Sequence, residues 1–502
     1  MKREERASGP DPTAPALATD AQSASGRVGR ASSGVLALAC AAQFMVVLDV
    51  SVVNVALPSV RDALGFREGA LPWVVNAYAL VFAGFLLLGG RLADLYGLRR
   101  VFAVGLALFA GASLVGGFAT SPAALVGARA AQGLGAAILA PATLTLVTTT
   151  FAQGPARTRA LATWTAVGSA GGAAGNLIGG VLTQTLSWRW VLLINVPVGA
   201  IAIAAAFALL PPTRPATPST RGRLDVPGAV LATVGVTALT YGVARGPVRG
   251  WAQPMTAGAV AAGMLALVAF AVVQARFAPA PLMPPRLWRV RAISVGNAVM
   301  LLAGACFIPM WYFLSLYMQN VLRYDALETG LGFLPHTLAG MGAARSAPWV
   351  IRRMDARTLI LLGTAVTGAG FLWQSRSDAG SGYALGVLGP GIVMSAGVGL
   401  LVTPITATVT SGIDTRDAGA ASGLMNTTRQ LGGALGLAVL VAVAGASDAG
   451  RVPADPAADH GRVFLAMTAI LLAVVAATFA LPRAEDAEAG PTPREVRSKR
   501  GA

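Results

Sequence analysis

Gly90-Arg91-Leu92-Ala93-Asp94-Leu95-Tyr96-Gly97-Leu98-Arg99-Arg100 joins two uncharged apolar runs, residues 71–90 and 101–119. Each run is about 20 residues long, enough for a helix to cross a hydrocarbon core of about 30 Å. The connection is short and built for a sharp reversal. Gly97 permits a tight turn, Asp94 offers a carboxylate to a nearby helix N-terminus or arginine, and Arg99 and Arg100 hold the loop on the cytoplasmic side. The segment therefore reads as the turn between two membrane-spanning helices.

Working outward from it, similar runs recur along most of the chain. Hydropathy places them near 35–57, 71–90, 101–119, 123–150, 160–183, 190–210, 226–244, 254–275, 292–318, 329–350, 358–374, 383–410, 418–446 and 463–481. Only 12% of the 502 residues are charged and 55% are hydrophobic, against roughly 25% charged in ordinary soluble chains. A soluble globule is excluded, and the expected fold is an all-α polytopic membrane protein with fourteen transmembrane helices.

The net charge of +16 has two readings, nucleic-acid binding or membrane topology. With both termini in the cytoplasm, 26 of the 38 basic residues fall in inside segments and nine in outside ones, while Arg129, Arg345 and Arg429 lie within spans. The positive-inside rule accounts for that split without nucleic acid, and the expected location is the cytoplasmic (inner) membrane. Lys2 and Lys499, the two lysines, lie in opposite tails, so no phosphate-binding loop ending in Gly-Lys-Ser/Thr exists and no ATP motor is expected. Cys40 and Cys306 sit in apolar runs, and His336 and His460 are far apart. No disulfide framework, metal cluster or cofactor is expected.

Residues 1–33 are polar and rich in Ala, Ser and Pro and read as a disordered cytoplasmic tail. Segment 211–225 reads as a cytoplasmic tether, 276–291 as a basic cytoplasmic loop and 483–502 as a basic cytoplasmic tail.

The loop Gly90–Arg100 resembles the signature loop of the major facilitator superfamily, although Leu95 and Leu98 stand where that family often has basic residues. Four more segments are similar to its fourteen-helix drug:proton antiporter branch: Leu48–Pro58 with Asp49 and Asn54, Arg129–Gly135, Gly171–Gly180, and Trp188-Arg189-Trp190 leading to Ile194–Gly199. Leu316–Leu322 and Gly330–Pro335 add to the likeness. The resemblance implies two six-helix bundles, 34–210 and 292–482, with two extra helices within 226–275. It also implies alternating access that exports small amphipathic compounds, drugs or antibiotics, in exchange for protons. A narrow exporter of one metabolite or self-made antibiotic is the alternative within transport, and a membrane-embedded enzyme or sensor the alternative outside it. In the branch, Gly-Pro-x-x-Gly-Gly in the fifth helix is thought to bend it and seal the path. Here the segment reads Gly175-Asn176-Leu177-Ile178-Gly179-Gly180.

Asp49 is the one acidic residue well inside a span, and burying a carboxylate there is costly unless it is paired, hydrated or protonated. At 1.5 Å per residue it lies about 9 Å from the outer face, and Arg129 falls at about the same depth. Proton coupling through the pair is favoured over a static ion pair stapling two helices. Gln132 and Gly133 follow Arg129 at helical spacing, giving either a substrate-facing surface or a polar packing seam. Gly168, Gly172, Gly175 and Gly179 recur on one face of the fifth span and form an expected packing and gating stripe with Gly180. His336 is either a second proton site or, preferably, a hydrogen-bonded pore-lining residue. Arg345 is expected to snorkel to the inner face. Arg429 cannot easily do so and should face a cavity near Asn426, held by a backbone carbonyl or touching an anionic or polar substrate group. Phe307, Trp311 and Tyr312 line a pocket or face lipid.

Overall fold

The computed structural model describes residues 14–66, 71, 73–212, 225–279, 281–378, 380–411, 413–414, 417–445 and 456–481. The expected tether and C-terminal tail therefore lie mostly or wholly outside the described residues. Among those residues every regular element is helical. Fourteen long helices dominate: α1 (Ala14–Leu64), α2 (Trp73–Tyr96), α3 (Leu98–Gly117), α4 (Pro122–Thr150), α5 (Pro155–Thr185), α6 (Trp190–Leu209), α7 (Val226–Arg249), α8 (Pro254–Arg276), α9 (Arg291–Leu316), α10 (Leu334–Val350), α11 (Ala356–Gln374), α12 (Gly389–Val409), α13 (Ala418–Gly445) and α14 (Pro456–Thr478).

Twelve of these helices are long and apolar enough in themselves to cross a membrane. The other two are α5, rich in Gly, Ala and Thr, and α10, of 17 residues with His336 and Arg345 along it. Their low hydropathy follows from where they lie. Both pack at the seam between the two bundles, where small residues allow close approach and lipid contact is reduced. One expectation changes at the N-terminus. The backbone is helical from Ala14, so residues 14–33 extend α1 instead of forming a disordered tail. Extending an existing helix avoids the nucleation cost, and Ala14, Ala16, Ala18, Ala21 and Ala24 favour it.

In the first bundle α1 packs on α5, α2 and α3 on α4, and α6 on α3; in the second α9 packs on α13 and α14, and α12 on α10 and α11. The bundles meet through α2 against α13, α5 against α10 and α12, and α4 against α13. The extra pair, α7 and α8, packs on itself, with α7 also touching α2 and α13. Asp225 caps the first turn of α7 by accepting from Gly228 N at 2.9 Å, and Gln274 of α8 donates to the same carboxylate at 2.5 Å. Most of α8 is exposed, including Met264, Leu265 and Val268, as an apolar helix facing lipid would be.

Candidate functional site

Five helices of the first bundle converge on Asp49. Its Oδ2 accepts from Arg129 Nη1 at 2.5 Å, and its Oδ1 accepts from Gln132 Nε2 at 3.1 Å and Asn195 Nδ2 at 2.9 Å. Arg129 also donates from Nε to the Val74 carbonyl at 3.1 Å and from Nη1 to Gln132 Oε1 at 2.9 Å. Its guanidinium lies 4.5 Å from the centre of the Tyr78 ring. Gln132 Nε2 reaches Ser113 Oγ at 2.6 Å, and that hydroxyl donates to Phe109 O at 2.8 Å. Asp49, Arg129, Gln132, Ser113 and Asn195 are all at or below 1% exposed. The charge of Asp49 is thus matched by one guanidinium and two amides in a buried site, an arrangement that makes a buried ion pair tolerable.

Ser113, Asn195 and Tyr78 were not among the residues expected at this site. Asn195 was detectable as a lone amide in an apolar run; a serine in a membrane helix carries no such signal, because its hydroxyl commonly bonds its own helix. Gln132 has its amide oxygen and nitrogen committed here, which makes it part of the ion-pair network. Gly133 lets α4 approach α2: a Cβ there would lie 2.5 Å from Tyr78 O.

The loop Gly90–Arg100 forms a second site, between the bundles. Asp94 accepts from the backbone nitrogens of Gly419 at 2.9 Å and Ala420 at 3.0 Å, at the start of α13, where the helix dipole favours an anion. Arg91 lies 3.7 Å from the same carboxylate. Gly90 has no room for a side chain, since a Cβ would meet Gly419 O at 2.3 Å. Gly97 turns the chain with φ 87°, a conformation that suits glycine. Arg99 donates to Phe207 O at 3.0 Å and lies over the Phe207 ring, while Arg100 is exposed. At the same end Thr145 of α4 donates to Ser422 of α13 at 3.3 Å, and Arg157 of α5 reaches Thr410 O at 3.4 Å. The two bundles are joined at the signature-loop end.

The sequence profile of the Major Facilitator Superfamily matches residues 39–437. The chain belongs to the Major Facilitator Superfamily. It is 53% identical to the cephamycin export protein CmcT of Amycolatopsis lactamdurans, over 92% of this chain and 95% of that one. It is 39% identical to the puromycin resistance protein pur8 of Streptomyces alboniger, over 85% and 83% of the two chains. The crystal structure of the human organic anion transporter MFSD10 covers 90% of this chain with a TM-score of 0.64 at 16% identity, and 99% of that chain is matched. That likeness is one of fold. The protein is a membrane transporter of this superfamily and not an enzyme.

In this superfamily member the glycines of α5 face α1 of the same bundle. A Cβ on Gly171, Gly175 or Gly179 would meet Phe44 O at 3.0 Å, Ser51 Cβ at 2.6 Å or Val52 Cγ2 at 2.9 Å. The same addition at Gly168 or Gly172 would meet nothing closer than 3.6 Å or 3.9 Å. The tight stripe is therefore Gly171, Gly175 and Gly179, at i, i+4 and i+8, and not the expected series through Gly168 and Gly172. The α5–α1 contact follows a row of fourth residues, as ridge-in-groove packing does. Gly180 turns the other way, toward Leu327 of the second bundle at 3.8 Å. The side chain of Asn176 lies outside the described residues.

The expected cavity residues of the second bundle separate. Trp311 meets Phe333 edge-on at 5.0 Å between centroids, and Phe333 meets His336 at 5.8 Å. His336 is buried with Nε2 3.0 Å from Val387 O, in a π-helical turn (Ala384–Leu388) that opens α12. That turn also gives Gly386 O to Gln374 Nε2 at 2.7 Å. Phe307 is half-buried against the core, and Tyr312 is 47% exposed beside Phe313. Arg345 is exposed. Asn426 and Arg429 come together, with Arg429 Nη2 donating to Asn426 Oδ1 at 3.2 Å.

Proposed function

We propose that this transporter exports small amphipathic antibiotics across the cytoplasmic membrane in exchange for protons, with both termini in the cytoplasm. The export reading rests on the 53% identity, nearly end to end, with a protein named for cephamycin export. Resistance to puromycin, tetracenomycin C and lincomycin appears in the names of further relatives at 39%, 34% and 31% identity. Relatives named for single antibiotics favour a narrow exporter of one metabolite, while the similarity to the multidrug resistance protein Stp of Mycobacterium tuberculosis, at 34% identity, favours breadth. A panel of antimicrobials tested against a pump-deficient bacterium expressing this chain separates the two. Protection against one chemical class means narrow export, and protection against none contradicts the proposal.

Proton coupling is assigned to Asp49, and the observation that carries it is the sealed Asp49–Arg129 pair. Protonating Asp49 removes the partner of a buried guanidinium, which costs roughly 3–5 kcal/mol in comparable buried pairs. The first bundle must then rearrange to hydrate or re-pair Arg129. Asn195 and Gln132 tie that change to α6 and α4, and the glycine stripe of α5 lets α1 move against a smooth face. A proton entering down 100 mV releases about 2.3 kcal/mol, enough for roughly fifty-fold accumulation per charge. In this reading Asp94, Gly90 and the start of α13 close the cytoplasmic end while the outer path is used, and reopen for the next substrate.

A further inference from the structure

We infer that Arg429, oriented by Asn426, is an anion-binding site at the interface of the two bundles, and that the exported compounds carry a carboxylate or an equivalent anionic group. For its ligand the inference rests on the export reading above. Its physical basis is the distribution of charge inside the protein.

Of the charged residues lying within the apolar spans, Asp49 and Arg129 neutralise each other and Arg345 is exposed. Arg429 remains. No carboxylate lies within 4 Å of it among the described residues, and its one side-chain bond goes to a neutral amide, Asn426 Oδ1. Its Nε is buried with no partner. A guanidinium carries five N–H donors in a rigid plane, and leaving a buried charged donor unsatisfied is costly. Asn426 is committed on its other side, donating from Nδ2 to Ser422 O at 3.0 Å. It therefore holds one Nη of the guanidinium and leaves the other donors open.

The position of Arg429 is equally specific. Ser422, Asn426 and Arg429 follow at i, i+4 and i+7 and share one face of α13. That face is turned to the other bundle, because Ser422 Oγ accepts from Thr145 of α4. Arg429 lies about 10 Å further along α13 from this closed contact, between the bundles and within the membrane. Its backbone is pressed against α9, where a Cβ on Gly304 would meet Arg429 O at 2.6 Å. The stem is held by that packing while the charged head is left without a counter-ion. A carboxylate takes such a fork in bidentate geometry, and an apolar body suits the surrounding helices. A cationic drug would find no free carboxylate among the described interior residues and would be repelled by Arg429.

The test is equilibrium binding to the purified full-length protein with a matched pair of probes, dansyl-phenylalanine and its methyl ester, read by dansyl fluorescence. The wild type should bind the acid at least about tenfold more tightly than the ester, the range expected for a charge-assisted hydrogen bond. Arg429→Gln should erase that preference by weakening the acid far more than the ester, and Arg429→Lys should keep part of it, losing the fork but not the charge. Absence of an acid-over-ester preference in the wild type overturns the inference, as does its persistence in folded Arg429→Gln protein. If the acid binds through Arg429 but is not taken up by everted vesicles under a pH gradient, the site stands and the export reading fails.

Discussion

Asp94 in α2 and Gly419 at the start of α13 are 325 residues apart in the chain, yet the carboxylate accepts the glycine N–H at 2.9 Å. With Ala420 N donating to the second oxygen, one side chain of the first bundle caps a helix of the second. The cap can hold only where no side chain separates the backbones, which is why Gly90 and Gly419 face each other across the contact.

Gly90→Val should therefore open this end. Its Cβ would sit 2.3 Å from Gly419 O, a clash with backbone that no rotamer relieves. We expect at least a tenfold loss of transport in a folded protein. In the same variant a cysteine placed by Ser422→Cys, buried in the closed contact, should gain reactivity toward a water-soluble thiol reagent. Unchanged labelling would contradict the capping account.

The glycine stripe of α5 makes a paired prediction. Gly175→Ala would bring a methyl to 2.6 Å from Ser51 Cβ and 2.8 Å from Leu48 O, so it should destabilise the bundle by about 1–3 kcal/mol. Gly172→Ala, with nothing closer than 3.9 Å, should be nearly neutral. Thermal unfolding of the two variants in detergent tests the pair. Equal effects would mean that the stripe does not set the α1–α5 distance.

Much of the fold was legible because membrane helices announce themselves by length and apolarity. Even α5 and α10, the two helices of low hydropathy, fall on runs that the same hydropathy reading marks, 160–183 and 329–350. The candidate site was legible in part. Asp49 and Arg129 stood out by their cost and shared depth. Asn195, bonded to Asp49 across 146 residues, and Ser113 could not be assigned, since only tertiary packing brings a common polar side chain to one carboxylate. Which α5 glycines pack tightly depends on how α1 crosses α5, and periodicity alone does not fix that crossing. The helical start at Ala14 was hidden by the polar composition around it.

Topology is open to a direct check. Reporter fusions after Arg30 and after Arg483 should both read cytoplasmic, because the basic residues concentrate on that side. An external reading at either end would reverse or break the proposed orientation.

Arg129→Lys keeps the charge of the central pair but loses the fork that reaches Val74 O, Asp49 and Gln132 together. Export should fall at least tenfold, with protein abundance in the membrane near the wild-type level. Wild-type export by this variant would mean that charge alone suffices at this position.

The central claim is that Asp49 carries the coupled proton, and Asp49→Asn tests it most directly by retaining size and polarity while removing the titratable group. The measurement is substrate accumulation in everted vesicles under an imposed pH gradient, with substrate binding measured on the same purified variant. The account predicts that binding persists at least in part while gradient-driven accumulation is lost. Accumulation at the wild-type level by Asp49→Asn would contradict it.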